Sequence, residues 1–351
     1  MSSQASTAPS AAPVRTEVVI IGAGPAGLFQ VFELGLLGIG AQVVDSLAGP
    51  GGQCTELYPD KPIYDIPALP VCSAQELVDR LMTQIKPFGA KFHFGQEVTE
   101  CRRRPDGRFH LRTSAGAVFD AGAVVIAAGV GSFQPRRIGL EDAEAHEGTS
   151  IHYRVRNATD FHDKRLVIFG GGDSALDWVL ELAPRARSLV LVHRRSVFRA
   201  APASVARMQE LCAAERMRYI EGLADSLVLD GGRLAGVRVK GADGEVHTLP
   251  ADHLLAFFGL HPKLGPIAGW GLELERKALK VDTEKFQTSV PGIFAIGDIN
   301  SYPGKKKLIL SGFHEAALAA FGIQQYLYPE KRQFLQYTTT SPAMQKRLGV
   351  A

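Results

Sequence analysis

The most constraining feature of this sequence is a pattern that occurs twice. Glu17–Ile21 reads as a short strand rich in branched residues, Gly22-Ala23-Gly24-Pro25-Ala26-Gly27 turns directly out of it, a helical pattern follows over Leu28–Leu37, and Ala41–Val44 is the next strand. The same order recurs as the strand Arg165–Phe169, the turn Gly170-Gly171-Gly172-Asp173-Ser174-Ala175, the helix Ala175–Leu182 and the strand Ser188–His193. A strand–helix–strand crossover is right-handed and builds a parallel sheet with the helix packed on its face. Two of them predict an α/β protein with two Rossmann-like, three-layer nucleotide-binding domains.

The intervening segments set the order of the domains. Phe109–Thr113 and Ala117–Phe119 read as a hairpin and Ala123–Ala127 as the strand after it, closing a first lobe. Leu254–Phe258 is a further apolar strand, Gly292–Ile296 another, and His314–Tyr326 a long helix, so the chain returns to the first lobe and the second is inserted in it. The expected boundaries are a first domain over residues 14–128 and 260–330, a second over 129–259, and a C-terminal extension over 331–351 with no clear periodicity. At 351 residues, two domains are also the natural expectation from length. Residues 1–13, made mostly of Ser, Ala and Pro, lack a basic start and an apolar centre and read as a disordered leader rather than a signal peptide.

Ala121–Val130, the longest apolar stretch, is about half of what spans a bilayer and reads as a buried strand. A cytoplasmic protein with no membrane or nucleic-acid partner is expected, and the formal net charge of +3 is too mild to argue otherwise. Cys54, Cys72, Cys101 and Cys212 are widely spaced, with no pair at CxxC spacing, and fit buried thiols in a reducing compartment. No metal site is expected.

The first glycine turn has the spacing that a dinucleotide requires. Gly22 permits the tight turn, Gly24 lets the backbone approach a diphosphate, Gly27 lets helix meet strand, and the helix, opened by Pro25, offers unpaired N–H groups from Ala26 onward. Asp45 closes the second strand where a carboxylate accepts hydrogen bonds from an adenosine ribose. In the second turn Gly170, Gly172, Asp173, Ser174 and Ala175 match the form with Ala in the packing position. There the next strand ends in His193-Arg194-Arg195, with Arg199 beyond, where an NAD site would carry an acid. Guanidinium groups at that point bind a 2′-phosphate through charge-assisted hydrogen bonds, which favours NADPH over NADH. A solvated run of surface charge is the competing reading of these arginines.

Together with Gly51-Gly52-Gln53, Leu57-Tyr58-Pro59, Tyr64-Asp65-Ile66 and Gly292-Ile293-Phe294-Ala295-Ile296-Gly297-Asp298, these motifs resemble the thioredoxin-reductase-like ferredoxin/flavodoxin–NADP reductases over nearly the whole chain after the leader. The resemblance implies a homodimeric FAD enzyme that exchanges hydride with NADPH and single electrons with ferredoxin or flavodoxin. It places Gly52, Gln53, Gly297 and Asp298 at the flavin, with Asp298 on the ribityl chain and Tyr58 stacked on one face of the ring. It also implies that C-terminal residues of a partner subunit cover the other face. The matching stretch here is Tyr337-Thr338-Thr339-Thr340-Ser341, with Tyr337 preferred and Thr338 also open, a frayed tail being the alternative.

Hydride transfer needs positioning rather than an ionising side chain, so no catalytic residue is named. A dithiol mechanism would need a cysteine pair that the sequence lacks. The electrons must then leave for an external acceptor, and Arg102-Arg103-Arg104 and Lys305-Lys306-Lys307 are candidate docking patches for an acidic carrier, or ordinary solvated loops. An NADPH-dependent disulfide or free-flavin reductase is the alternative enzyme. A nucleotide sensor without turnover is the alternative of another class.

Overall fold

The computed structural model describes residues 12–131, 134–155, 157–261, 264–331 and 336–350. The leader expected over residues 1–13 falls almost wholly outside them. The chain forms two compact units, Met1–Ser132 with Pro262–Ala351, and Phe133–His261.

The first unit opens with strand Val14–Ile21, helix α1 (Pro25–Leu36) and strand Ala41–Val44, then helices α2 (Gln53–Leu57) and α3 (Ala74–Ile85). Its sheet runs Lys91–His93, Ala41–Val44, Val14–Ile21, Val118–Ile126, Phe109–Thr113, Val98–Arg103. Val14–Ile21 is parallel to both neighbours, with Ile21 level with Val44 and with Ile126. Val118–Ile126 is one continuous strand, not the two expected. Its first half pairs antiparallel with Phe109–Thr113, and its last residues pair parallel with Ile293–Ala295 on the same side. Gly122, in the gap between the two expected strands, sits where a β-carbon would stand 2.9 Å from the Glu17 carbonyl oxygen and 2.7 Å from Leu327. It marks close approach and not a turn.

The second unit holds helices α4 (Asp173–Leu182) and α5 (Pro202–Ala213). Its sheet runs Ile151–His152, His253–Ala256, Arg165–Phe169, Ser188–His193, Arg218–Asp230, Arg233–Gly241, Val246–Pro250. The first four interfaces are parallel and the last two antiparallel. Along Arg165–Phe169 the side chains of Leu166 and Ile168 enter one core with α4 residues Leu176 and Val179, while Val167 and Phe169 enter another with Val237 and Val239. A strand buried on both faces reads as a continuous apolar run, which is why it is so plain in the sequence. The unit begins and ends in a two-residue ladder, with Pro135 opposite Leu260 and Gln134 opposite His261.

Back in the first unit, strand Ile293–Ala295 leads to α6 (Ile309–Leu327), longer at its start than the helix read from the sequence, and the tail contains α7 (Pro342–Leu348). Ser341 caps α7 by accepting from the Met344 N–H, and Arg347 Nη1 donates to the Leu36 carbonyl at the end of α1 at 2.5 Å. No helix among the described residues is long and apolar enough to cross a membrane.

Candidate functional site

In each unit the first strand runs straight into its glycine turn. Gly22 has φ +111°, and a β-carbon there would stand 2.4 Å from the Ala127 carbonyl oxygen, so only glycine fits. At Gly27 a β-carbon would meet the Gly22 carbonyl oxygen at 2.0 Å, which brings α1 hard against the strand. Gly24 is different. Its φ of −71° suits any residue, and nothing lies within 4 Å of where a β-carbon would be. No side chain caps α1, so its first N–H groups have no side-chain partner, next to a residue that the protein itself does not require to be glycine. A cradle of that form suits a diphosphate.

Asp45 is buried beside this turn and accepts from the Ala23 N–H at 2.6 Å and from the Leu47 N–H at 2.8 Å. Burial pushes its carboxyl up from the ordinary range while those two donors pull it down. The Gly51-Gly52-Gln53 segment is laid against the same turn, with the Gly51 N–H donating to the Ala23 carbonyl at 2.8 Å and a β-carbon at Gly52 falling 3.2 Å from Gly24 Cα. Gln53 opens α2 with its amide nitrogen near Gly129, and Tyr58 closes it, half-buried, its hydroxyl 3.8 Å from Cys54 Sγ. Burial pushes the Tyr58 phenol well above its ordinary value, and the Cys54 thiol and the Asp298 and Asp65 carboxyls add to the effect. Asp298 also raises Cys54, so the α2 segment and the Gly297–Asp298 turn converge.

That turn is held by a group of residues the sequence reading missed. Glu315, buried on α6, accepts from the Gly297 N–H at 2.7 Å, from Asn300 Nδ2 at 2.8 Å and from the Tyr302 hydroxyl at 2.9 Å, and pairs with Lys305. Lys305 Nζ also donates to the Gly297 carbonyl at 2.9 Å. An ion pair thus grips both backbone polar groups of the residue before Asp298. Lys305, read from sequence as part of a docking patch, is instead buried in this pair. The available signal was a glutamate inside the small, apolar run Gly312–Ala320, since such a residue is seldom buried without a partner.

In the second unit Gly170 has φ +149° and a β-carbon there would stand 2.7 Å from the Phe257 carbonyl oxygen. Gly172 caps α4 with extended backbone, no side-chain cap, and nothing within 4 Å of a β-carbon. It repeats the open cradle of Gly24. Asp173 accepts from the Ala201 N–H at 2.9 Å, and the Arg199 N–H donates to the Gly171 carbonyl at 2.7 Å, so the segment after His193 is sewn to the turn. Burial lowers the His193 imidazole from its ordinary range, and its Nε2 donates to the Val197 carbonyl at 3.3 Å. Arg194, Arg195 and Arg199 are exposed, and none of their guanidinium groups has a hydrogen-bond or ion-pair partner among the described residues. Ser174 and Ala175 form the first turn of α4.

Two candidates are not gathered into either group. Tyr337 and Thr338 are exposed, and the Tyr337 carbonyl accepts from the Thr340 and Ser341 N–H groups, bonds that lie within the turn and at the start of α7. The cysteines are unpaired. Burial raises all four thiols, Cys101 up to about 12, so none is poised as a thiolate. Among the described residues no group of three or more His, Cys, Asp or Glu is arranged to hold a metal ion.

Two open cradles, each at a helix start beside parallel strands, define a two-dinucleotide oxidoreductase. The chain belongs to the pyridine nucleotide-disulphide oxidoreductase family, whose pattern matches residues 16–320, a family of FAD-containing NAD(P)H oxidoreductases. Within it, the chain is 62% identical over 342 residues to the ferredoxin–NADP reductase of Methylibium petroleiphilum, covering 96% of this chain and 93% of the relative. It is also 62% identical to that of Albidiferax ferrireducens, covering 96% and 97%. Ferredoxin–NADP reductase 2 of Cupriavidus metallidurans is 58% identical over 347 residues, covering 99% and 95%. The fold is that of Lactococcus lactis thioredoxin reductase, with a TM-score of 0.74 at 23% identity, covering 90% of this chain and 99% of that one.

Proposed function

We propose that the chain is a cytoplasmic, FAD-dependent ferredoxin (or flavodoxin)–NADP reductase. The observation that carries this reading is identity near 60%, over nearly the full chain, to relatives of that name, joined to a site whose open positions fit the two nucleotides. The cradle at Gly24 would take the diphosphate of FAD, Tyr58 would offer a flat face to its ring system, and Asp298 would hold the ribityl chain. Gly172 and the start of α4 would take the diphosphate of NADPH. The unpartnered Arg194, Arg195 and Arg199 would meet its 2′-phosphate, which supports NADPH over NADH.

Bound there, FAD would supply the chemistry that couples a hydride to single electrons. The chain's own residues then bind and orient, and no side chain need carry a proton at the reacting centre. One NADPH supplies two electrons and a proton, two carriers take one electron each, and NADP⁺ and the proton are released. The raised thiols do not favour a disulfide mechanism through this chain's own cysteines. A homodimer, in which Tyr337 or Thr338 of one copy covers the flavin of the other, agrees with the exposure of both residues.

The test is anaerobic. The purified yellow protein should release FAD on denaturation, bleach on adding NADPH far faster than on adding NADH, and reduce cytochrome c only when ferredoxin or flavodoxin is supplied. A protein without flavin, or one whose cytochrome c reduction ignored both carriers, would overturn the reading.

A further inference from the structure

The reading above needs a place where an electron carrier docks, and the structure separates the two basic stretches of the sequence. Arg103 is level with Phe109, Phe109 with Ala121, and Ala121 with Thr16, which lies near the start of the first strand. The glycine turn follows the other end of that strand, where Ile21 is level with Ile126 and Ile126 with Ala295. From Ala121 to Ile126 the strand advances about 17 Å. Arg102–Arg104 therefore lie at the end of the sheet away from Gly24 and Asp298. Two of these arginines are also paired, Arg102 with Glu100 at 2.7 Å and Arg104 with Asp106 at 3.6 Å and Asp120 at 3.8 Å.

The lysine stretch is placed otherwise. Lys305 is tied through Gly297 to the turn that carries Asp298, and this fixes where the next residues stand. Lys306 and Lys307 are exposed, with no hydrogen-bond or ion-pair partner for either ammonium group among the described residues. Leu308 and Leu310 beside them are 45% and 44% exposed. Two unneutralised cations next to exposed leucines, anchored by a buried ion pair to the flavin turn, form a surface of the kind that protein partners use, with an apolar middle and a charged rim. Electron transfer weakens steeply with distance, so a carrier gains by docking here and not at the arginine end.

Resting on the proposed function, we infer that Lys306, Lys307, Leu308 and Leu310 form the docking face for a small acidic one-electron carrier protein. Their charge steers the carrier, and the leucines bury against it. Lys305 contributes by holding the loop in place rather than by touching the carrier.

The test uses the full-length, FAD-loaded enzyme with an acidic 2[4Fe–4S] ferredoxin and cytochrome c as final acceptor, and neutral benzoquinone as a small acceptor that needs no docking. The double variant Lys306→Glu, Lys307→Glu should raise the KM for ferredoxin about tenfold or more at low salt and flatten its salt dependence, while NADPH–benzoquinone turnover stays at the wild-type rate. Arg102→Glu, Arg103→Glu should leave the ferredoxin KM within about twofold, since its charges lie far from the docking face. If the Glu variant loads FAD poorly, Lys306→Gln, Lys307→Gln gives the same comparison with a smaller shift. An unchanged KM, or an equal rise in the arginine variant, overturns the docking face. So does a change of oligomeric state on size exclusion with ferredoxin KM unmoved, which would make the face a contact between copies. These outcomes are distinct from failure of the reading itself, in which the wild-type enzyme would reduce benzoquinone but neither ferredoxin nor flavodoxin.

Discussion

The imidazole of His193 lies directly over Gly171, so closely that a β-carbon on Gly171 would stand 2.3 Å from two of its ring atoms. His193 thus serves as a packing piece between the second glycine turn and the arginine segment. Gly171→Ala should push the ring aside and, with it, the segment from Arg194 to Arg199. The expected result is a several-fold higher KM for NADPH with FAD content unchanged, because the substitution lies in the other unit. Steady-state kinetics beside the absorbance ratio of bound flavin to protein checks it.

Removing Arg194 and Arg195 together should erase much of the choice of nucleotide. Hydrogen bonds to charged groups contribute roughly 1.5 to 3 kcal/mol each, so the NADPH-to-NADH preference should fall about tenfold or more by the 1.4 kcal/mol rule. Turnover should change less, since contacts remote from the hydride are made equally in ground and transition states. A preference that stayed at the wild-type ratio in Arg194→Ala, Arg195→Ala would mark these arginines as ordinary surface charge.

Gly24 and Gly22 should fail in opposite ways. Nothing lies within 4 Å of where a β-carbon at 24 would stand, so Gly24→Val should fold and be colourless, its side chain occupying the space of the diphosphate. Gly22→Ala should lose stability, by about 1 to 3 kcal/mol from backbone strain alone and more from the clash with the Ala127 carbonyl. Thermal unfolding of both variants, with and without added FAD, separates the two kinds of loss.

Comparison of these turns shows what could be read in advance. Arg165–Phe169 and Ser188–His193 coincide with the observed strands residue for residue, because an apolar run ended by glycine or charge leaves little choice of boundary. Arg218–Asp230, Arg233–Gly241 and Val246–Pro250 went unread, since their mixed polar faces carry no continuous apolar signal. Of the candidate site, Gly24 and Gly172 were legible by spacing. The work of Asp173, His193 and Lys305 was not, because each is fixed by a partner that only the folded chain brings near.

Lys305→Met should cost more than a surface lysine would. It leaves the Glu315 carboxylate buried without its cation, a loss of about 3 to 5 kcal/mol, and frees the Gly297 carbonyl. Denaturant unfolding should show the loss, and FAD dissociation should quicken. A variant as stable as wild type, with flavin equally well retained, would remove the ion pair from any part in holding the turn.

The pH dependence of the second unit should centre on Asp252. It accepts from Arg165 Nη2 at 2.6 Å and from the Arg165 N–H at 2.7 Å, and these bonds hold its carboxyl down to about 2. A carboxyl depressed in the fold stabilises it fully above its unfolded value of about 3.9 and ceases to as pH falls towards 2. Asp252→Asn should therefore lower the unfolding midpoint at pH 5 and lose part of the drop seen between pH 4 and pH 3. An unaltered acid profile would show that Arg165 contributes little through this pair.

The ladder that sets Pro135 opposite Leu260 and Gln134 opposite His261 gives the inserted unit entry and exit points that are immediate neighbours. A segment bounded in this way can be lifted out of its host gene and replaced by another whose ends are equally close, without stretching the chain on either side. On the proposed function, nucleotide preference and flavin chemistry would then be encoded in separable cassettes. A reductase accepting a different nicotinamide could then be made by exchanging one of them whole, leaving the unit that carries the proposed docking face as it is.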